Sequence, residues 1–487
     1  MMSFFIRAHL PVGQTALFGG SAAEDGGRSA PLKSTSFVAI YRPQNACAQG
    51  LLKLFACALF ALLAAGCPMD QEDIPTLLPG QFWAQRMNGS WYIVDTEKLW
   101  ESQYCEVYAE ESQLGRINAV VNAEAKIAGE FDTIYPLITG KFGFPVNIFG
   151  NPKIIIILLD IQDGWNGWGS YVAGYFDPQH CLSGPFYRRS NHANMIFIDT
   201  YPGLNNNTTM SNLQITLAHE LQHLVNFHQS FIIARRGQTD TWINEGLSSA
   251  AEYLYKGHIT DKINAYKGDN GGDISRGVNF VSWAPSYAQD AFSSYAAVYL
   301  FFQWLRIQAG PTAAGDEGIW KTIFQQPSLT GYTNYQGVVN AAQGKGFGAS
   351  WIEILENWFI ANALCDASGI HGYKNDTVIG KLQGSWPSGA FSFGSNTTLY
   401  PGEGVYVNGS SPLQTVGVIR YNNYKTDYCL VFNTQATGRT GVNAPLPPSA
   451  SVSPAGITAA QSLSRNLPAG GEPRPIDRVF RLPEGAR

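Results

Sequence analysis

The sequence predicts an α+β fold: a mixed sheet with an apolar helix against it, then a mainly helical region, then a small β-rich one. Three observations carry this. Ile154–Leu159 is an unbroken apolar run of strand length. Residues 211–229 set Leu213, Ile215, Leu217, Leu221, Leu224, Val225 and Phe227 in a pattern that suits a largely buried helix. Residues 291–365 read as mostly helical, and the runs 404–407, 415–420 and 428–432 are β-prone and separated by Gly, Asn and Ser turns.

Taken in order, residues 1–66 form an N-terminal extension and an export signal. Lys53 precedes an apolar stretch of signal-peptide length that ends in Ala64-Ala65-Gly66-Cys67. The stretch is short for a membrane span. Its end resembles a bacterial lipobox, which makes Cys67 the expected lipidated first residue of the mature protein and a membrane the expected partner. A plain signal peptide cut near Ala65, or an uncleaved anchor, is the alternative. Residues 1–50 do not suit an n-region, so the start is expected nearer Leu51, although no methionine lies between Met2 and Met69.

Residues 67–85 read as a tether and 86–257 as the subdomain holding the site. Within it, 91–94 suggests a short strand and 106–142 a helix through Leu114, Ile117, Val120, Phe131, Ile134 and Leu137. Ile154–Leu159 is the buried strand, 162–192 a Gly/Trp/Asn-rich loop, and Ser211 or Asn212 the cap of the following helix. Residues 243–255, rich in Ala and Leu, make a second helix. Residues 258–385 are expected to be a helical subdomain entered through a loop-rich stretch, 258–290. Residues 386–435 are a small β region, and 436–487, dominated by Pro, Ala, Ser and Gly, a disordered tail.

The 487 residues carry a formal charge of −5, and only 14% are charged, against about 25% in ordinary domains. No basic block points to nucleic acid. Cys105, Cys181, Cys365 and Cys429 are widely spaced with no CxxC; in an exported chain they allow up to two disulfides.

The chemistry sits in His219-Glu220-Leu221-Gln222-His223. On a helix, residues four apart share a face, so both imidazoles can reach one metal ion, and Glu220 stands where a general base for an activated water is needed. The alternative is a pair of core histidines satisfied by backbone or carboxylate. A tetrahedral catalytic zinc requires a third protein ligand. The pattern HExxHxxGxxH would need Gly and His where this chain has Asn226 and Gln229. A later helix can supply a glutamate instead. In Trp242-Ile243-Asn244-Glu245-Gly246, Glu245 is separated from His223 by 21 residues, which leaves room for a loop and an antiparallel return. Glu245 and Glu252, seven apart, share a face, so Glu245 can ligate while Glu252 orients a ligand histidine. A dipole-favoured first-turn glutamate and a solvated surface charge are the respective alternatives.

HELQH followed by WINEGLSSAAEYL resembles the gluzincin metallopeptidases. With residues 154–161, 172–178, 194–200, Asn226-Phe227 and 357–362, the context is most similar to the hyicolysin-type neutral zinc metallopeptidases, over roughly 125–385. The resemblance implies a zincin-like catalytic core with an active-site helix, one catalytic Zn2+, the ligands His219, His223 and Glu245, Glu220 as base, and Asn244 and Glu252 behind the ligands. It implies an oxyanion donor from the later helical region, for which Tyr295 is the choice and Tyr299 and Tyr287 the competitors. It also implies that 194–200 is the edge strand along which an extended peptide substrate lies.

The expected function is therefore an extracytoplasmic zinc metalloendopeptidase. A zinc aminopeptidase is the enzymatic alternative. A surface lipoprotein that keeps the fold and only binds is the alternative from another class.

Overall fold

The computed structural model describes residues 74–165, 170–237, 239–268, 274–275, 277, 279–282, 291–325, 334–379, 382, 397–438, 440–445 and 477–481. The export segment, Cys67, Tyr287 and residues 446–476 of the tail lie outside the described residues.

The main sheet starts inside the expected tether. β1 (Gln81–Gln85) pairs antiparallel with β2 (Trp91–Glu101), and β2 with β3 (Cys105–Glu110). Residues 106–110 are thus strand and not helix. Cys105, Val107 and Ala109 are buried while their neighbours are half-exposed, the two-residue period of a one-sided strand. The helical part of that segment is a 3-10 turn (Glu111–Gln113), α1 (Leu114–Asn118) and α2 (Glu130–Phe142), with a π-helical turn leading into α2.

β4 (Ile154–Leu159) runs parallel to β3, and every residue in it is buried. Ile154, Ile156 and Leu158 face the helical core, while Ile155, Ile157 and Leu159 face a second apolar cluster. Cover on both faces is why this strand reads as a continuous apolar run.

The loop expected over 162–192 contains β5 (Ser170–Tyr175), and β6 (Met195–Asp199) follows it. The strand order is β1-β2-β3-β4-β6-β5-β13, where β13 is Asp477–Arg481. β6 lies parallel to β4 and antiparallel to β5, so it is interior and cannot be the edge. All five of its residues are buried. The position beyond it belongs to β5, whose outer side pairs antiparallel with β13.

The helices stack on one face of this sheet. α3 (Asn207–Phe227) starts a turn earlier than expected: Asn206 Oδ1 accepts from Thr209 N–H and Thr209 Oγ1 from Asn206 N–H, a reciprocal cap that displaces Ser211 and Asn212 from that role. It continues through a π-helical stretch, His228–Ile233. α4 (Thr241–Lys256) packs against α3 and ends at Gly257, whose φ of 76° is a conformation glycine adopts without strain. α5 (Thr260–Gly268) then occupies part of the stretch expected as loop. α6 (Ala291–Ala309), α7 (Gly318–Gln325), α8 (Tyr335–Gly344) and α9 (Trp351–Leu364) supply the helical region the sequence predicts. Trp242, Phe280, Phe301, Trp351 and Trp358 form an aromatic cluster joining α4, α6 and α9.

The β-rich region holds the short strands β7 (Thr398–Leu399) and β12 (Val442–Asn443) and a four-stranded sheet. That sheet orders β8 (Gly404–Asn408), β11 (Tyr428–Asn433), β10 (Ile419–Lys425) and β9 (Gln414–Val416). The run 415–420 is two strands: Gly417 and Val418 make a tight turn between Val416 and its partner Ile419. Arg420 ties the sheet to α9 through a two-pronged ion pair with Glu356, at 2.9 and 3.2 Å. The α+β expectation, with its mixed sheet, the apolar helix against it, the helical region and the C-terminal β region, is what the molecule shows. The allowed disulfides are not formed: among the described residues, Cys105, Cys181, Cys365 and Cys429 are in no S–S bond. No helix among the described residues is long and apolar enough to cross a membrane.

Candidate metal centre

α3 and α4 bring the sequence-selected residues to one point. His219 and His223 lie one turn apart with ring centroids at 4.6 Å. Across from them, near the start of α4, Glu245 Oε2 is 3.3 Å from His219 Nε2 and 3.8 Å from His223 Nε2. One donor atom from each of the three residues lies within 4.8 Å of the others. All three side chains are buried. His219 Nε2, His223 Nε2 and Glu245 Oε2 are sealed from solvent and have no hydrogen-bond partner. Three inward-facing orphaned donors are costly to bury unless something binds them. Two imidazole nitrogens and one carboxylate oxygen suit zinc, and three protein ligands leave the fourth position of a tetrahedron open.

The far nitrogens are fixed, and this determines which nitrogen faces inward. His219 Nδ1 lies 2.7 Å from Glu252 Oε1, so it carries the proton and leaves Nε2 with its lone pair. For His223 the logic runs through Ser248. The Ser248 hydroxyl donates to Gln222 Oε1 at 2.6 Å, so it accepts from His223 Nδ1 at 2.8 Å. Burial, followed by the charge of His219, pushes the His223 pKa well below the usual histidine value, which keeps the ring neutral. Burial raises the Glu245 pKa, and contact with His219 opposes that rise. Asn244 accepts from the side chain of Asn226 and lies beside His223.

Glu220 is fully buried beside the two histidines. Tyr295, near the start of α6, has its ring centroid 6.5 Å from that of His219. Tyr299 is engaged elsewhere: its hydroxyl accepts from Ile259 N–H at 3.0 Å and lies 3.4 Å from His258 Nδ1.

Sequence reasoning missed Ser248, Gln222, Ser249 and Lys262. Lys262 is buried and sits 2.9 Å from each oxygen of Glu252 and 2.9 Å from Ser249 Oγ. Ser248 had a usable signal, since it lies three residues after Glu245 on the same face of α4. Lys262 had none, because its segment was read as loop.

No family model matches the chain. The chain is 33% identical over 264 residues to the neutral metalloprotease ShpI of Staphylococcus hyicus, a match covering 53% of this chain and 57% of that protein. It thus spans little more than half the length of that relative. Among solved structures, yeast LTA4 hydrolase in complex with bestatin is 16% identical with a TM-score of 0.32, covering 55% of this chain and 39% of that one. The native yeast LTA4 hydrolase is 13% identical with a TM-score of 0.33, covering 59% and 44%. Over about half its length, the chain that sets His219, His223 and Glu245 around one point is a sequence relative of a neutral metalloprotease.

Proposed function

We propose that this chain is a zinc metalloendopeptidase that acts outside the cytoplasm. The observation that supports this most is the set of three orphaned, buried donors, His219 Nε2, His223 Nε2 and Glu245 Oε2, facing one another from two helices. His219, His223 and Glu245 hold the ion, and Glu252, Ser248 and Asn244 orient the ligands. Bound zinc supplies Lewis acidity, which acidifies water and polarises a carbonyl. Glu220 takes the proton of the attacking water and passes it to the leaving amine. Tyr295 donates a hydrogen bond to the developing oxyanion; its closeness to His219, and the commitment of Tyr299 to Ile259 and His258, favour it over Tyr299. The substrate is an extended peptide. Export rests on residues 51–67, with Cys67 as the lipid anchor.

The test uses the full chain, its bound zinc, and peptides blocked at the amino terminus. Wild type holds about one zinc per chain and cleaves the blocked peptides. Glu220→Gln keeps the zinc and loses hydrolysis by about 10²-fold or more. Glu245→Ala loses the zinc. Hydrolysis by Glu220→Gln at the wild-type rate would refute the mechanism. Cleavage restricted to peptides with a free amino terminus would make the enzyme an aminopeptidase. Failure of labelled palmitate to enter the protein in a bacterial host would remove the anchor at Cys67.

A further inference from the structure

We infer that Lys262 is a positioning residue for the metal centre, acting on His219 through Glu252. This rests on the proposed zinc site and extends it outward by one layer.

Glu252 contributes one oxygen, Oε1, to His219 Nδ1. A carboxylate held only by that contact is free to swing about its last torsion and carry the ring with it. Lys262 removes this freedom. Its Nζ lies 2.9 Å from Oε1 and 2.9 Å from Oε2, so the ammonium straddles the carboxylate. Ser249 Oγ, one turn before Glu252, takes a further ammonium proton at 2.9 Å. The lysine is therefore pinned to two points of α4, and the carboxylate to the lysine.

The burial of this group is a second argument. Lys262 is 2% exposed and Glu252 is 0%. A lysine so placed costs desolvation energy that a surface position would avoid, and a buried pair contributes little net stability. What the arrangement does supply is a defined orientation for a group that touches a ligand histidine.

The same ammonium faces two rings of α6. It sits 5.5 Å from the centroid of Tyr295 and 5.8 Å from that of Tyr299. Both are within cation–π range. One side chain from the first turn of α5 thus meets both the carboxylate behind His219 and the ring of the tyrosine proposed as oxyanion donor. It fixes them relative to each other.

The experiment is a double-mutant cycle read by zinc affinity, measured by chelator competition on the full chain, which does not depend on hydrolysis. Glu252→Gln and Lys262→Met should each weaken zinc binding on the order of tenfold. If the lysine acts through the glutamate, the double variant binds zinc like Glu252→Gln alone. Lys262→Arg, which keeps the charge and two donors, should recover most of the affinity. Additive losses in the double variant, or wild-type affinity in Lys262→Met, would overturn the inference. The double variant removes both buried charges together, so it remains informative if Lys262→Met alone does not fold. A wild type that binds no zinc would overturn the site reading itself, and that outcome is distinct from additivity among zinc-binding variants.

Discussion

At the scale of single residues, the cluster of His219, His223 and Glu245 was legible where its geometry is intrahelical. His219 and His223 could be placed together because four residues make about one helical turn, and Glu245 with Glu252 because seven make about two. What stayed hidden is partner choice across elements. Nothing in the letters says that the hydroxyl proton of Ser248 is spent on Gln222, so that its oxygen accepts a hydrogen bond from His223 Nδ1–H, or that Lys262 returns to Glu252. Such pairings exist only once tertiary packing has removed water as the competing partner. The same removal acts on Glu403 in the β region, which is fully buried with Oε2 accepting from Tyr400 N–H and Oε1 without a partner. Burial pushes its pKa up to about 8, above the roughly 4.3 of an unfolded glutamate. The folded state therefore holds a proton that the unfolded chain gives up between those values. The stabilisation from this group is complete at acid pH and is lost as pH rises through the interval to about 8. Glu403→Gln should accordingly leave the melting temperature nearly unchanged at pH 4 and raise it at pH 9, as thermal scans at the two pH values will show.

At the scale of elements, the readings that failed were those in which a local pattern has two solutions. Residues 106–110 alternate as a strand does, but they adjoin a helical run and were absorbed into it. Residues 260–268 carry too little apolar pattern to announce α5, which is held by its neighbours. The edge strand was misassigned because strand order is not written locally: β6 precedes the metal helix in sequence, but β5 is folded back outside it. One element-level contact makes a sharp prediction. A Cβ on Gly246 would stand 2.1 Å from the ring of Phe302, so the missing side chain lets α4 and α6 approach closely. Gly246→Ala should force these helices apart and cost about 1–3 kcal/mol, despite alanine's better helix propensity. It should also lower zinc affinity, because Glu245 is the adjacent residue. Denaturant unfolding and chelator competition on the same variant measure both effects.

At the scale of the whole molecule, the α+β architecture was legible because each of its regions has its own pattern, an unbroken apolar run in β4, a helical apolar pattern in α3, and short β-prone runs between turns near the C-terminus. Their assembly into one seven-stranded sheet was not legible, since β5 and β13 meet across some 300 residues of chain. Zinc, on the proposed reading, binds the native state alone, so its removal should be felt globally. At a thousandfold excess over its dissociation constant it would contribute about 4 kcal/mol. Chelation should then lower the melting temperature by on the order of 5–10 °C, and re-addition of zinc should restore it. An unchanged melting temperature after verified metal removal would count against the ligand assignment.

The ligands, the carboxylate behind them and Lys262 all fall within residues 219–262. Assembling them requires closing only short loops, and contacts of that kind form quickly. In a chain growing from its N-terminus, this stretch leaves the ribosome before the strands of the C-terminal sheet have been made. The residues of the candidate centre are therefore all available to one another before the C-terminal sheet exists.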